Sequence, residues 1–67
     1  MESIGNRIKS LRFQSALFQK ELAEKVSVTH QAVSQWELGH CLPDIMILVK
    51  ISNLFDVSLD YIIKGKK

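Results

Sequence analysis

Sixty-seven residues make one domain, and a chain this short buries only about 60% of its unfolded surface, so the core is small and every apolar stripe is needed. Nine basic and seven acidic residues leave a net charge of +2, too mild a bias to establish a nucleic-acid partner by itself. One cysteine excludes an internal disulfide, and no CxxC or clustered Cys/His set offers a zinc site, so no metal or other cofactor is expected.

The opening Met-Glu-Ser-Ile-Gly-Asn-Arg has no apolar signal region, and no later apolar run reaches the roughly 18 residues of a membrane span. A soluble, cytoplasmic protein with no membrane partner is expected. No repeat, low-complexity tract or linker divides the chain, which predicts a single domain over residues 1–67.

Ile4, Ile8 and Leu11 recur at helical spacing behind Ser3 as N-cap, with Asn6, Arg7, Lys9 and Ser10 on the other faces. This predicts a first helix from about Ser3 to Gln14. Arg12 lies beside the stripe, where a long side chain reaches inward across a small core. Ser15-Ala16 forms a connector. Leu17 and Leu22 then stand at the hydrophobic-staple spacing of a second helix, with Glu21 placed to suit its positive end. Phe18 occupies the N-cap, where lack of a capping oxygen typically costs about 1 kcal/mol. Packing of Phe18 against the first helix is expected in preference to a role in a contact surface.

From Gln19 to Trp36 two short helical patterns meet across Ser27-Val28-Thr29. Leu22, Ala23 and Val26 form a narrow apolar stripe in the first, Val33 and Trp36 in the second. Neither is long enough to stand alone, because nucleation is costly and each has about two turns to recover it. They must pack on each other, with small Ala23 at the closest approach and Val28 plugging the corner: the plan of a helix-turn-helix. Ser27 stands where a left-handed residue is wanted, so the turn is expected to be strained. Thr29 caps the third helix, His30 to Leu38, and Gly39 closes it.

Asp44 caps a fourth helix running to about Phe55. Ile45, Leu48, Ile51 and Phe55 make one face, while Met46, Ile47 and Leu54 lie largely off it, so the helix is apolar on more than one side. Ser58 caps a last short helix through Leu59, Ile62 and Ile63, ended by Gly65. Lys64, Lys66 and Lys67 form a basic tail.

With these residues in view, the chain resembles the phage-repressor and Cro-type helix-turn-helix regulators, the XRE family, from Ile4 to Lys64. Besides the Gln19 to Trp36 core, the likeness includes Arg12 before it, Glu37 and Gly39 after it, the Pro43-Asp44 helix start, and Val-Ser-Leu-Asp-Tyr-Ile-Ile at residues Val57 to Ile63. The resemblance implies an all-α, compact five-helix, lambda-repressor-like DNA-binding domain whose helices 2 and 3 form the helix-turn-helix, helix 3 entering the major groove while helix 2 crosses the backbone. It implies a sequence-specific regulator of transcription on double-stranded DNA, of repressor type. Gln19 resembles the family's phosphate-contacting glutamine. Thr29, His30, Gln31, Ser34 and Gln35 resemble the outward face of the recognition helix. Glutamine pairs bidentately with adenine N6 and N7, and histidine or serine can donate to guanine or phosphate oxygens, so Gln31 is the leading base reader. Any one polar residue on a short helix can simply be solvated; the set in this register favours DNA contact. Trp36 shares Val33's face and is expected in the core. Arg12 and Glu37 resemble the family's internal ion pair joining helix 1 to the end of helix 3.

The pattern departs in one respect. Neither the third helix nor Leu38-Gly39-His40-Cys41-Leu42 carries Lys or Arg, so few phosphates are neutralised and monomer binding should be weak. Arg7, Lys9, Lys20 and the tail remain as cations. A homodimer on a palindromic operator, adding two modest affinities one DNA turn apart, is therefore expected. Met46, Ile47, Leu54 and Tyr61 are its interface candidates. The alternative is an antitoxin-like or adaptor helix-turn-helix protein whose main partner is another protein, engaged through helix 4. Enzymatic function lacks support: His30 and His40 are the only histidines, without a carboxylate pair, a Ser/His/Asp set or a Gly-rich phosphate loop. Cys41 reads as an ordinary loop thiol.

Overall fold

A computed structural model describes residues 3–66 as α1 (Ile4–Gln14), α2 (Gln19–Lys25), α3 (His30–Leu38), α4 (Ile45–Phe55) and α5 (Leu59–Lys64). Four of the five starts are capped as the sequence predicts. Ser3, Thr29, Asp44 and Ser58 accept from the backbone N–H groups of Asn6, Ala32, Ile47 and Tyr61, each cap stabilising by about 0.5–2 kcal/mol over alanine. At α2 the Phe18 ring caps nothing, and only the reciprocal bond forms, from the Phe18 N–H to Glu21 Oε1 at 2.8 Å.

Ile8 and Leu11 of α1 bury against Leu22, Ala23 and Val26, Val33 and Trp36 of α3, Leu48 and Ile51 of α4, and Ile62 of α5. Val28 packs on this cluster from the corner between α2 and α3. The two helices of that corner pack on each other, α1 lies against α3 and α5, and α4 lies against α5. Gly5 sets the α1 to α3 distance, since a Cβ there would collide with the Trp36 carbonyl oxygen.

The ends of α1 to α4 share one device. An N–H two or three residues past the helix bonds five residues back, as Leu17 to Arg12, Val28 to Ala23, His40 to Gln35 and Val57 to Ser52, at 2.9 to 3.1 Å. The residue before it turns left-handed in each case. Only one of the four is glycine, Gly39; the others are Ala16 (φ 57°), Ser27 (φ 62°) and Asp56 (φ 54°). The strain expected at Ser27 is present, and Ala16 carries the same strain unanticipated.

Three placements differ from the sequence reading. Arg7, read as an outer polar residue, is buried, with Nε donating to Ile62 O at 2.7 Å and Nη2 to Ile63 O at 2.8 Å. The last carbonyls of a helix lack intrahelical donors, and this guanidinium supplies them for α5. Phe18 is 77% exposed rather than packed on α1, and Ile45, assigned to the inner face of α4, is 58% exposed because the first turn overhangs the edge of the core.

Replacing Ala16 by glycine removes a left-handed Cβ that costs about 1–2 kcal/mol, and the freer unfolded chain takes back about 0.5–1 kcal/mol. With the midpoints of these ranges, a net gain of about 0.75 kcal/mol, Ala16→Gly is expected to raise Tm by about 3–6 °C in a calorimetric scan. An unchanged or lower Tm contradicts this.

Candidate nucleic-acid interface

Elements α1, α2 and α3 are tied together by one chain of polar side chains. Arg12 donates from Nε to Glu37 Oε2 at 2.7 Å and from Nη2 to Glu37 Oε1 at 2.9 Å, with side chains 7% and 3% exposed. Its Nη1 reaches Leu17 O at 2.9 Å, fixing the connector into α2. Phe13 covers the guanidinium, its ring centre 4.6 Å from Arg12 Cζ. Glu37 Oε1 also accepts from Gln19 Nε2 at 3.0 Å, and Gln19 Oε1 lies 2.9 Å from His30 Nε2.

The direction of every bond in this chain is determined. A guanidinium only donates and a carboxylate only accepts, so Gln19 turns its amide N–H toward Glu37 and its carbonyl toward His30. His30 must then carry its hydrogen on Nε2, which leaves Nδ1 of the neutral ring as an acceptor. At the far end of α3, His40 Nδ1 lies 2.9 Å from Gln35 Oε1.

The outward residues of α3 surround this framework. Thr29, His30, Gln31 and Gln35 are exposed and Ser34 is half-buried, while Val33 and Trp36 face the core. Thr29 Oγ1 caps α3 through Ala32 at 3.1 Å, with its hydroxyl hydrogen still available. Gln19 is half-buried and keeps one amide hydrogen beyond the Glu37 bond. Gln31 has no side-chain hydrogen bond among the described residues. Of the cations weighed for DNA contact, Arg7 is turned inward on α5, whereas Lys9 and Lys20 are exposed.

Arg7 and the His40 brace on Gln35 are the residues that sequence reading missed. For Arg7 a signal existed: positions 4, 7, 8 and 11 share one helical face, so the charge sits inside the apolar stripe. For His40 none did, because its ring meets Gln35 only after Gly39 reverses the chain. No group of three or more His, Cys, Asp or Glu side chains among the described residues is arranged to hold a metal, and no helix there is long and apolar enough to cross a membrane.

Five helices around a braced α2 to α3 corner define the class of helix-turn-helix DNA-binding domains. The helix-turn-helix family model matches residues 8–62, and the chain belongs to that family, of XRE type, whose members are DNA-binding transcriptional regulators and not enzymes. YqaE of Bacillus subtilis (strain 168), an uncharacterized HTH-type transcriptional regulator, is 44% identical over 62 residues, 92% of this chain and 53% of YqaE. Repressor protein C2 of Salmonella phage P22 is 34% identical over 62 residues, 92% of this chain and 29% of C2. The crystal structure of that repressor with a synthetic operator superimposes with a TM-score of 0.93 at 32% identity, covering 98% of this chain and 100% of that one. The crystal structure of SinR, the master regulator for biofilm formation, in complex with DNA gives 0.81 at 37% identity over 88% and 95% of the two chains. The chain spans about half the length of the curated relatives it matches.

Burial pushes the Glu37 carboxyl up, but the hydrogen bonds from Arg12 and Gln19 and the charges of Arg12 and Lys9 together outweigh it, holding the group below its ordinary 4.5. Between the two values the unfolded chain binds the extra proton, so stability rises with pH there. The contribution is complete above 4.5 and is lost as pH falls through the lower folded value. In urea titrations from about pH 7 down to about pH 3, Glu37→Gln should be less stable than wild type at the top of the range, and the gap should narrow toward the bottom. A gap that stays constant across the range contradicts this account.

Proposed function

We propose that residues 1–67 form one domain of a cytoplasmic transcriptional repressor that reads double-stranded DNA with α3 in the major groove, as a homodimer on a palindromic operator. The observation that carries this reading is the hydrogen-bonded chain from Arg12 through Glu37 and Gln19 to His30. It holds the first turn of α3 rigidly while leaving Gln31 exposed, as base reading requires of a recognition helix. Support comes also from the likeness to two proteins crystallised with operator or DNA.

In this reading Gln31 pairs with a base edge, adenine being its best partner. His30 commits its Nε2 hydrogen to Gln19, so in the uncharged form of the ring Nδ1 is an acceptor, which suits the amino group of adenine or cytosine rather than the guanine acceptors. The spare hydrogens of Gln19 and Thr29 go to phosphate oxygens. Ser34 and Gln35 border the groove, Gln35 braced by His40. Arg12 and Glu37 position these groups without touching DNA.

Dimerisation is supported by the exposed apolar surface from the end of α3 to the start of α4. Leu38, Leu42, Ile45 and Met46 are each between 58% and 67% exposed, and Leu54 is 37% exposed. Ile47 and Tyr61 are half-buried against the chain's own core, so the proposed interface centres on Met46, with Leu54 toward its edge. The same patch supports the second reading, a helix-turn-helix adaptor held by another protein through α4.

Selection from random duplex DNA, run at two salt concentrations, should enrich a palindrome with half-sites one turn apart. Gln31→Ala should relax preference at one base pair, by about 1–3 kcal/mol. No enrichment even at low salt would overturn DNA reading. Sedimentation should show the wild type dimeric at micromolar concentration and Met46→Glu shifted to monomer. A wild type that stays monomeric while enriching only single half-sites points instead to the adaptor reading of the patch.

A further inference from the structure

Phe18 is the most exposed of the large apolar side chains, at 77%. It occupies the N-cap of α2 with no side-chain cap bond, a position where an aromatic ring lacks the oxygen that stabilises a helix start. Phe13, the other exposed aromatic nearby in the chain, lies against Arg12 and Lys9, whereas the Phe18 ring makes no ring or cation contact among the described residues. The fold therefore gains neither burial nor capping from it.

Its placement indicates what covers it. The Phe18 backbone N–H is held by Glu21, and the next residue, Gln19, meets His30 at 2.9 Å. The N-cap that carries the ring is thus one residue from the contact between α2 and the first turn of α3, at the α2 edge of the polar face, and away in sequence from the apolar surface between Leu38 and Met46. A duplex presented to α3 brings its sugar–phosphate strand to that edge, and the apolar surface such a strand offers is the C–H face of deoxyribose. We infer that Phe18 is a DNA-contact residue whose ring packs on a deoxyribose of the strand that α2 crosses. This rests on the DNA-reading function proposed above.

The exchange Phe18→Thr separates folding from binding, because it adds the missing capping oxygen while removing the ring. Thermal unfolding should rise by roughly 4–8 °C. Affinity for the selected operator should fall about tenfold, the loss expected from leaving one ring face in water. The loss should be uniform across operator variants, since sugars carry no base identity, and the salt dependence should keep its slope, since no ion pair is removed. Phe18→Leu should recover part of the affinity without the gain in stability. If wild type binds operator and Phe18→Thr binds as tightly or more tightly, the inference fails and DNA reading stands. If the wild type enriches no duplex, both fall.

Discussion

Two charges buried between α1 and α3 set the geometry of everything around them. Arg12 and Glu37 are nearly closed off from water, and desolvating two ions is costly enough that hydrocarbon of equal volume commonly serves stability as well or better. Hydrocarbon cannot supply direction. The fork of the guanidinium fixes the plane of the carboxylate, the carboxylate fixes the amide of Gln19, and the amide fixes the ring of His30. A third guanidinium bond to Leu17 O ties the connector into the same frame. An internal ion pair thereby determines which hydrogen-bonding atoms the surface presents.

This frame explains why α2 tolerates poor local chemistry. The helix has seven residues, starts on an uncapped phenylalanine, and lies between the left-handed residues Ala16 and Ser27. Each feature costs stability in an isolated peptide. The packing of Leu22, Ala23 and Val26, with the Arg12 and Gln19 bonds at its start, outweighs those costs, so tertiary contacts rather than propensity make the helix.

Both arginines of the chain, Arg7 and Arg12, face inward. Arginine is the side chain best matched to phosphate by its planar fork, and here both forks are occupied, one by α5 carbonyls and one by Glu37. No Lys or Arg stands between Lys25 and Lys50. Whatever α3 contacts, it does so with neutral amides, hydroxyls and imidazole, groups that discriminate by hydrogen-bond pattern more than they attract by charge. Such a surface favours specificity over raw affinity.

Helix boundaries, four caps, the corner at Val28 and the inward face of Trp36 were legible in the sequence, because each depends on spacing along a few residues of chain. The likeness to helix-turn-helix regulators was legible for the same reason. The inward turn of Arg7 was only half visible: its position in the apolar stripe could be read, but its acceptors, Ile62 O and Ile63 O, lie 55 and 56 residues away. The exposure of Phe18 and Ile45 likewise depends on where the core ends, which periodicity cannot show. The sequence by itself determined which residues lie on which helical face, since 3.6 residues per turn is a local rule. Only the tertiary structure decided how those faces meet, and with that the direction of the bonds from Arg12 to His30, because a hydrogen bond acquires its partner and its polarity when distant segments are brought within about 3 Å.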